Sequence, residues 1–252
     1  MEWTNADLQP AHPGIHRVDF AGPLPYSSGI FSSVYHSNVL EHLRQEQASF
    51  FMQECARICR RGGILRVAVP DLEAICRLYL KKLDEAVLGG PSAREEYHWI
   101  LLELLDQMTR ESSGGQMGKF LEKIPKPVED FVYSRIGNEA REFVRQHRLF
   151  NQNPPSRHGW WKKWQEKAKR LWASDRQRAL AIGYFRLGGE VHQWMYDRFS
   201  LSDLMGRAGF CEIKIMPPGQ SQIPGWEGFF LEVGADGSIH KPDSIILEGV
   251  KT

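Results

Sequence analysis

Of the nine histidines in the sequence, three stand where a proton acceptor would be useful. His36 in "VYHSN" and His42 in "VLEHL" flank the carboxyl end of a short β-rich run, and His192 lies in "GEVHQWMY". Imidazole titrates near neutral pH, so each can serve as a general base; each can equally be a structural hydrogen-bonding group. Asp106, Gln107 and Arg110 fall at i, i+1 and i+4 of a predicted helix, so Asp106 and Arg110 share a face and can pair. On a surface such a pair contributes only a few tenths of a kcal/mol, about 0.3–0.5. With Gly114, Gly115 and Met117 following, the same residues can line a pocket. Cys55 and Cys59, four apart, could form half of a metal site. No second Cys/His pair follows at ligand spacing, so reduced thiols packed on a helix face are expected, and no metal.

The elements that must position these groups read as α/β at both ends of the chain. "SSVYHSNVL" (32–40) predicts a strand, "RQEQASFFMQECARICR" (44–60) a helix stopped by Gly62 and Gly63, and "ILRVAVP" (64–70) a buried strand. Strand, helix, strand at this spacing is a parallel βαβ crossover, whose ligand side lies at the carboxyl ends of the strands. From 73 to about 195 strand signals give way to helical stretches at 73–88, 94–111, 129–147 and near 161–182, separated by breakers such as "GGPS", "SSGG", "IPKP" and "NQNPPSRHG". The α/β pattern returns with a helix at 200–210, capped by Ser200 and stopped by Gly209, then strands in "CEIKIM", "GFFLEV" and "SIILEGV". The expected organisation is a core over 1–80, a helical cap or insertion over 81–195, and the rest of the core over 196–252.

The run "PLPYSSGIFSSVYHSNVLEHL", followed by "CARICRRGGILRVAVPDL", resembles the middle of the class I S-adenosylmethionine-dependent methyltransferases, in the order that family shows. "ELLDQMTRESSGGQM", "GGEVHQWMYDRFSLSDLMGRAGF" and "IHKPDSIILEGVK" are similar to later motifs of a bacterial, type-11-like branch often linked to surface-polysaccharide biosynthesis. The resemblance implies a Rossmann-like sheet and S-adenosylmethionine as methyl donor. It makes Asp7 the acceptor for the ribose hydroxyls, Asp19 the acceptor for the adenine amine, and Phe20 an apolar wall. Ser37, Asn38 and Glu41 would meet the methionine part or hold the following helix, and His192, His36 and His42 are the candidate bases. Asp106, Gln107, Arg110, Trp194 and Tyr196 become the acceptor-side residues; for the two aromatics, sugar stacking competes with core packing. A nicotinamide-dependent oxidoreductase shares the sheet, but the "LEH…GG" succession and the late strand pair argue against it.

The same resemblance implies a first strand and a glycine-rich turn before Trp3, and none stands there. Three readings are open: a start assigned too late, a fragment, or a chain that has lost the loop. Truncation is the expectation, because removing a central strand leaves two neighbouring edges unpaired. Ser28 and Ser32, where the family pattern has acidic residues, and Arg61, in place of a proline, are smaller departures.

Composition narrows the partners. A net charge of +1 creates no global field that would call for nucleic acid. The amino terminus has no signal-peptide pattern, and no apolar run approaches the roughly 18 residues of a membrane span, so a soluble cytoplasmic protein is expected. The local exception is 157–178, with eight Lys/Arg against Glu166 and Asp175, and Trp161, Trp164, Leu171 and Trp172 near one helical face. That stretch can make weak peripheral contact with an anionic membrane or pack its tryptophans inward. The expected function is methyl transfer to a small-molecule or glycan acceptor; the alternative is a catalytically inactive binding protein of the same fold. The sequence leaves the oligomeric state open.

Overall fold

A computed structural model describes residues 3–152 and 174–252. In chain order the elements are β1 (Ala6–Asp7), β2 (His16–Arg17), β3 (Phe31–Ser37), α1 (Gln45–Ile58), β4 (Cys59–Pro70), α2 (Leu72–Val87), α3 (Ala93–Thr109), α4 (Gly115–Glu122), α5 (Glu129–Ile136), α6 (Asn138–Gln152), α7 (Asp175–Leu187), α8 (Arg198–Arg207), β5 (Phe210–Ile215) and β6 (Ser244–Lys251). Strands and helices combine as an α/β protein. No helix among the described residues is long and apolar enough to cross a membrane.

The chain divides into two compact units. The first takes the described residues up to Glu73, with Gln193–Asp236 and Ser244–Thr252. It holds a four-stranded sheet of order β3-β4-β6-β5, in which β3 and β4 are parallel and β6 runs antiparallel to both β4 and β5. A separate two-stranded parallel sheet pairs β1 with β2. Between β3 and β4 the chain crosses over through α1, whose Ala48, Phe51, Met52, Cys55 and Ile58 are buried at helical spacing. They form one core with Leu65, Val67 and Val69 of β4, Leu201, Leu204 and Met205 of α8, and Ile245 and Leu247 of β6. Cys55 and Cys59 are free buried thiols, and burial pushes the Cys55 thiol up.

The second unit takes the described residues of Ala74–His192 and the return segment Gly237–Asp243. Trp99, Ile100, Met117, Leu121, Val128, Val132 and Val144 are buried in it. Gly237–Asp243 is tied down by Asn138 Nδ2, which donates to Ser238 Oγ at 3.3 Å, and by a Lys241–Glu139 ion pair at 3.8 Å.

Several sequence-derived elements need correction. The segment read as a strand in "GFFLEV" begins within a short 3-10 turn, Trp226–Phe229, and forms no strand. Helix α1 stops at Ile58, and Gly62 and Gly63 lie inside β4. Gly63 is needed there because a Cβ would stand 2.9 Å from the Ser32 carbonyl oxygen on the neighbouring strand. The helix expected over 129–147 is two helices broken at Gly137. Asp197, not Ser200, caps α8: its Oδ1 accepts the N–H groups of Phe199 and Ser200 at 2.9 and 2.8 Å. Most of the basic stretch 157–178 lies outside the described residues; its end forms the start of α7, where Ser174 and Gln177 make a reciprocal capping box.

Candidate functional site

The carboxyl ends of the parallel pair β3 and β4 are built into one surface within the first unit. Beyond β3, Asn38 takes a left-handed φ of 53°, and its N–H still bonds the Ala68 carbonyl at 3.0 Å. Ser37 Oγ donates to Asn38 Oδ1 at 3.0 Å. A 3-10 turn, Leu40–His42, follows, with Leu40 and Glu41 fully buried. The Glu41 carbonyl accepts the N–H groups of Gln193 and Trp194 at 2.7 and 3.2 Å. Tyr196 bridges to Asp71, and its carbonyl accepts the Leu72 N–H at 2.9 Å. Residues 193–196 therefore lace the ends of β3 and β4 together, a long-range contact that local sequence patterning does not reveal.

The side chains of this surface differ in what they can do. Tyr196 is buried in the core, and burial together with the Glu41 charge pushes its phenol up to about 12. Trp194 is 41% exposed, an indole face available to a ligand. His36 packs against Phe51, ring centroids 5.0 Å apart, with both ring nitrogens buried and without a hydrogen-bond partner among the described residues. Burial lowers it to about 3, which holds it neutral and makes it a poor proton acceptor. His42 is partly exposed, with Nε2 4.0 Å from Glu41 Oε1.

The other carboxylates stand at the ends of β1 and β2. Asp7 Oδ1 accepts the Gln9 N–H at 2.7 Å, and Asp19 Oδ1 accepts the Ala21 N–H at 2.9 Å. Both side chains are solvent-facing, each held by its own turn through one oxygen, which leaves the other for a hydroxyl or amine donor. Phe20 packs edge-on to Phe51 at 5.5 Å, so the β2 end and His36 share one aromatic support.

In the second unit Asp106 and Arg110 pair at 3.2 Å across one helical turn. The Asp106 carboxylate also accepts the N–H groups of Gln116 and Met117, at 2.8 and 3.2 Å, and so caps α4. Arg110 reaches Glu190 at 3.2 Å, and Glu190 accepts the Gly114 N–H at 3.0 Å. Burial pushes the Glu190 carboxyl up, but the hydrogen bonds from Gly114, Ser113 and Arg110 outweigh it and leave the group below the usual range. Gln107 contributes its carbonyl, which accepts the His192 N–H at 3.0 Å. The structure thus brings Asp106, Gln107, Arg110 and His192 to the carboxyl end of α3.

A buried ionic cluster was not anticipated. Arg66 in mid-β4, Glu248 on β6 and Glu232 are all buried, and Arg66 pairs with both carboxylates. Its guanidinium also bonds the carbonyls of Pro218 and Gln220 and lies 4.4 Å from the Trp226 ring centroid. The available signal was one charge of each sign within the apolar runs "ILRVAVP" and "SIILEGV". The cluster pins 217–232 onto the sheet, and Tyr35 belongs to it: burial and the Glu232 charge push its phenol up to about 12.

With this geometry in view, comparison with known proteins gives a consistent result. Residues 3–67 match the model of a family described as a methyltransferase domain. The matched stretch runs from β1 through α1 to Val67 of β4 and contains Asp7, Asp19, Phe20, His36, Ser37, Asn38, Glu41 and His42. It supports a class I S-adenosylmethionine-dependent methyltransferase, a class that typically binds S-adenosylmethionine. No curated protein matches the chain.

Proposed function

We propose that this protein is an S-adenosylmethionine-dependent methyltransferase with a Rossmann-like core and a helical insertion, acting in the cytoplasm on a small-molecule or glycan acceptor. The observation that carries the reading is the methyltransferase-domain match over residues 3–67, with solvent-facing carboxylates at the ends of both parallel strands β1 and β2. The donor chemistry of the residues fits the cofactor. Asp7 accepts the ribose hydroxyls, Asp19 accepts the adenine amine, and Phe20 supplies an apolar wall. Ser37, Asn38 and Glu41 border the methionine part. When bound, the cofactor supplies a methyl carbon already activated by sulfonium, so the protein's task is alignment and, for a hydroxyl or amine acceptor, removal of one proton.

Of the three candidate bases we retain His42 and His192, since burial leaves His36 too weakly basic to accept a proton near neutral pH. Asp106 and Arg110 act on the acceptor side by fixing the loop that begins α4, together with Gln107; Trp194 offers a stacking face, with Tyr196 behind it in the core. The basic stretch 157–178 provides weak contact with an anionic membrane surface, where a lipid-linked glycan would be met. Nucleic acid is no partner in this reading.

A second reading, a catalytically inactive binding protein of the same fold, is favoured by the internal commitment of Asp106 and Glu190 to backbone N–H groups. Incubation with methyl-labelled S-adenosylmethionine and a panel of hydroxyl, amine and carboxyl glycans separates the two. Label on an acceptor, reduced at least about tenfold by His42→Ala or His192→Ala, supports the enzyme. Cofactor binding without transfer to any acceptor supports the second reading.

A further inference from the structure

Between the turn that carries Asp19 and the start of β3 the chain reads "AGPLPYSSGI", and neither strand nor helix forms in it. Its backbone groups therefore need partners from elsewhere, and the last turns of α1 supply them. Glu54 Oε2 accepts the buried Leu24 N–H at 2.7 Å. Arg57 donates to the Tyr26 carbonyl at 2.6 Å and to the Leu24 carbonyl at 2.9 Å. Its own carbonyl accepts the Gly29 N–H at 2.8 Å. The two side chains are fixed to each other by a bidentate pair, with both contacts at 2.7 Å. The guanidinium holds the Glu54 carboxyl below its usual range, so the pair stays charged near neutral pH.

This grip reaches Asp19 because little of the intervening chain can turn. Pro23 and Pro25 fix their own φ, and Pro25 also restricts Leu24 before it. Asp19 accepts the Ala21 N–H through Oδ1 at 2.9 Å and the Gly22 N–H through its carbonyl at 3.2 Å. Val18 on one side of that turn and Leu24 on the other are buried in the core. Phe20 rests on Phe51, three residues before Glu54 on α1. Asp7 is placed by a different contact, the β1–β2 pairing, in which its carbonyl accepts the Val18 N–H at 2.9 Å.

We propose that Glu54 and Arg57 are positioning residues for adenine recognition: by fixing Leu24 and Tyr26 they hold the Asp19 turn where its carboxylate selects the 6-amino group. The inference rests on the methyltransferase reading above and assigns the pair no contact with the cofactor. Both residues act through the backbone of 19–26, and a carboxylate displaced by about an ångström loses most of its selectivity.

The test compares two ligands by calorimetric titration of the full chain: S-adenosylhomocysteine and its analogue with purine in place of adenine, which lacks only the amine. The unaltered protein is expected to prefer the adenine ligand by about tenfold or more, as loss of a hydrogen bond to a charged group does. Glu54→Gln keeps the shape of the side chain and removes its charge, and Arg57→Lys cannot reach both carbonyls and the carboxylate at once. Each variant is expected to lose that preference, binding the adenine ligand about tenfold more weakly and the purine ligand within about twofold of the unaltered protein. General destabilisation would weaken both ligands by one factor and leave the preference intact, a result that overturns the proposal. Amide exchange without ligand gives a second readout. Exchange at Leu24, Ala21 and Gly22 should quicken in both variants while Val67 in β4 stays protected; unchanged exchange at those three amides also overturns it. Arg57 is a third exposed, so Arg57→Lys keeps the test open if Glu54→Gln fails to fold. Binding of neither ligand by the unaltered protein contradicts the methyltransferase reading and this inference with it, whereas binding with a preference that both variants retain removes this inference alone.

Discussion

His36 has an acid-linked consequence that can be measured. Its folded value near 3 lies below the unfolded value near 6.5, so between these limits the unfolded chain binds the extra proton. Its contribution to stability is complete above about pH 6.5 and is lost as pH falls toward 3, by about 1.4 kcal/mol per pH unit within that window. His36→Phe keeps an aromatic ring against Phe51 and removes this slope. Denaturant titrations at pH 7 and 5 should show a smaller stability loss for the variant; equal losses would mean that His36 finds a partner when protonated. Asp7 makes the complementary prediction: Asp7→Ala should weaken S-adenosylhomocysteine binding by about 1–3 kcal/mol, as loss of a charge-assisted hydrogen bond does. An unchanged affinity in a calorimetric titration would remove Asp7 from the ribose site. Residue spacing revealed the Asp106–Arg110 pair, because it lies within one helical turn. It did not reveal that Asp106 caps α4, because those partners are reached across a loop.

Among the elements, β4 and β6 were legible from their apolar runs, while Arg66 and Glu248 within them show what an apolar pattern omits. The pairing of one buried guanidinium with two carboxylates holds 217–232, and this explains why "GFFLEV" is no strand although its apolar run suggests one. Its Glu232 is drawn to Arg66, and Phe229 and Trp226 pack as an aromatic pair at 6.5 Å instead of extending along a ladder. Glu248→Ala leaves the buried Arg66 with half its compensation and should cost about 3–5 kcal/mol in urea unfolding. A loss under about 1 kcal/mol would mean that water replaces the carboxylate. In the helical unit Gly115, with a φ of 54°, sits where a Cβ would collide with the Asp106 carboxylate. Gly115→Ala should therefore lower stability by more than the roughly 1 kcal/mol of an ordinary backbone penalty.

For the whole molecule, the α/β character and the parallel βαβ crossover followed from local periodicity, which is strong where a strand and a helix alternate at short range. The return of Gly237–Asp243 to the helical unit did not, because it rests on contacts such as Asn138–Ser238 and Lys241–Glu139 between residues about a hundred positions apart. The lacing of Glu41 to Gln193 and Trp194 was hidden for the same reason. The central claim, that the surface at the ends of β1, β2 and β3 holds an adenosyl cofactor, is tested most directly by calorimetric titration of the chain with S-adenosylhomocysteine. The account predicts saturable micromolar binding at one site per chain, weakened by Asp7→Ala. Absence of binding by the folded protein would contradict it.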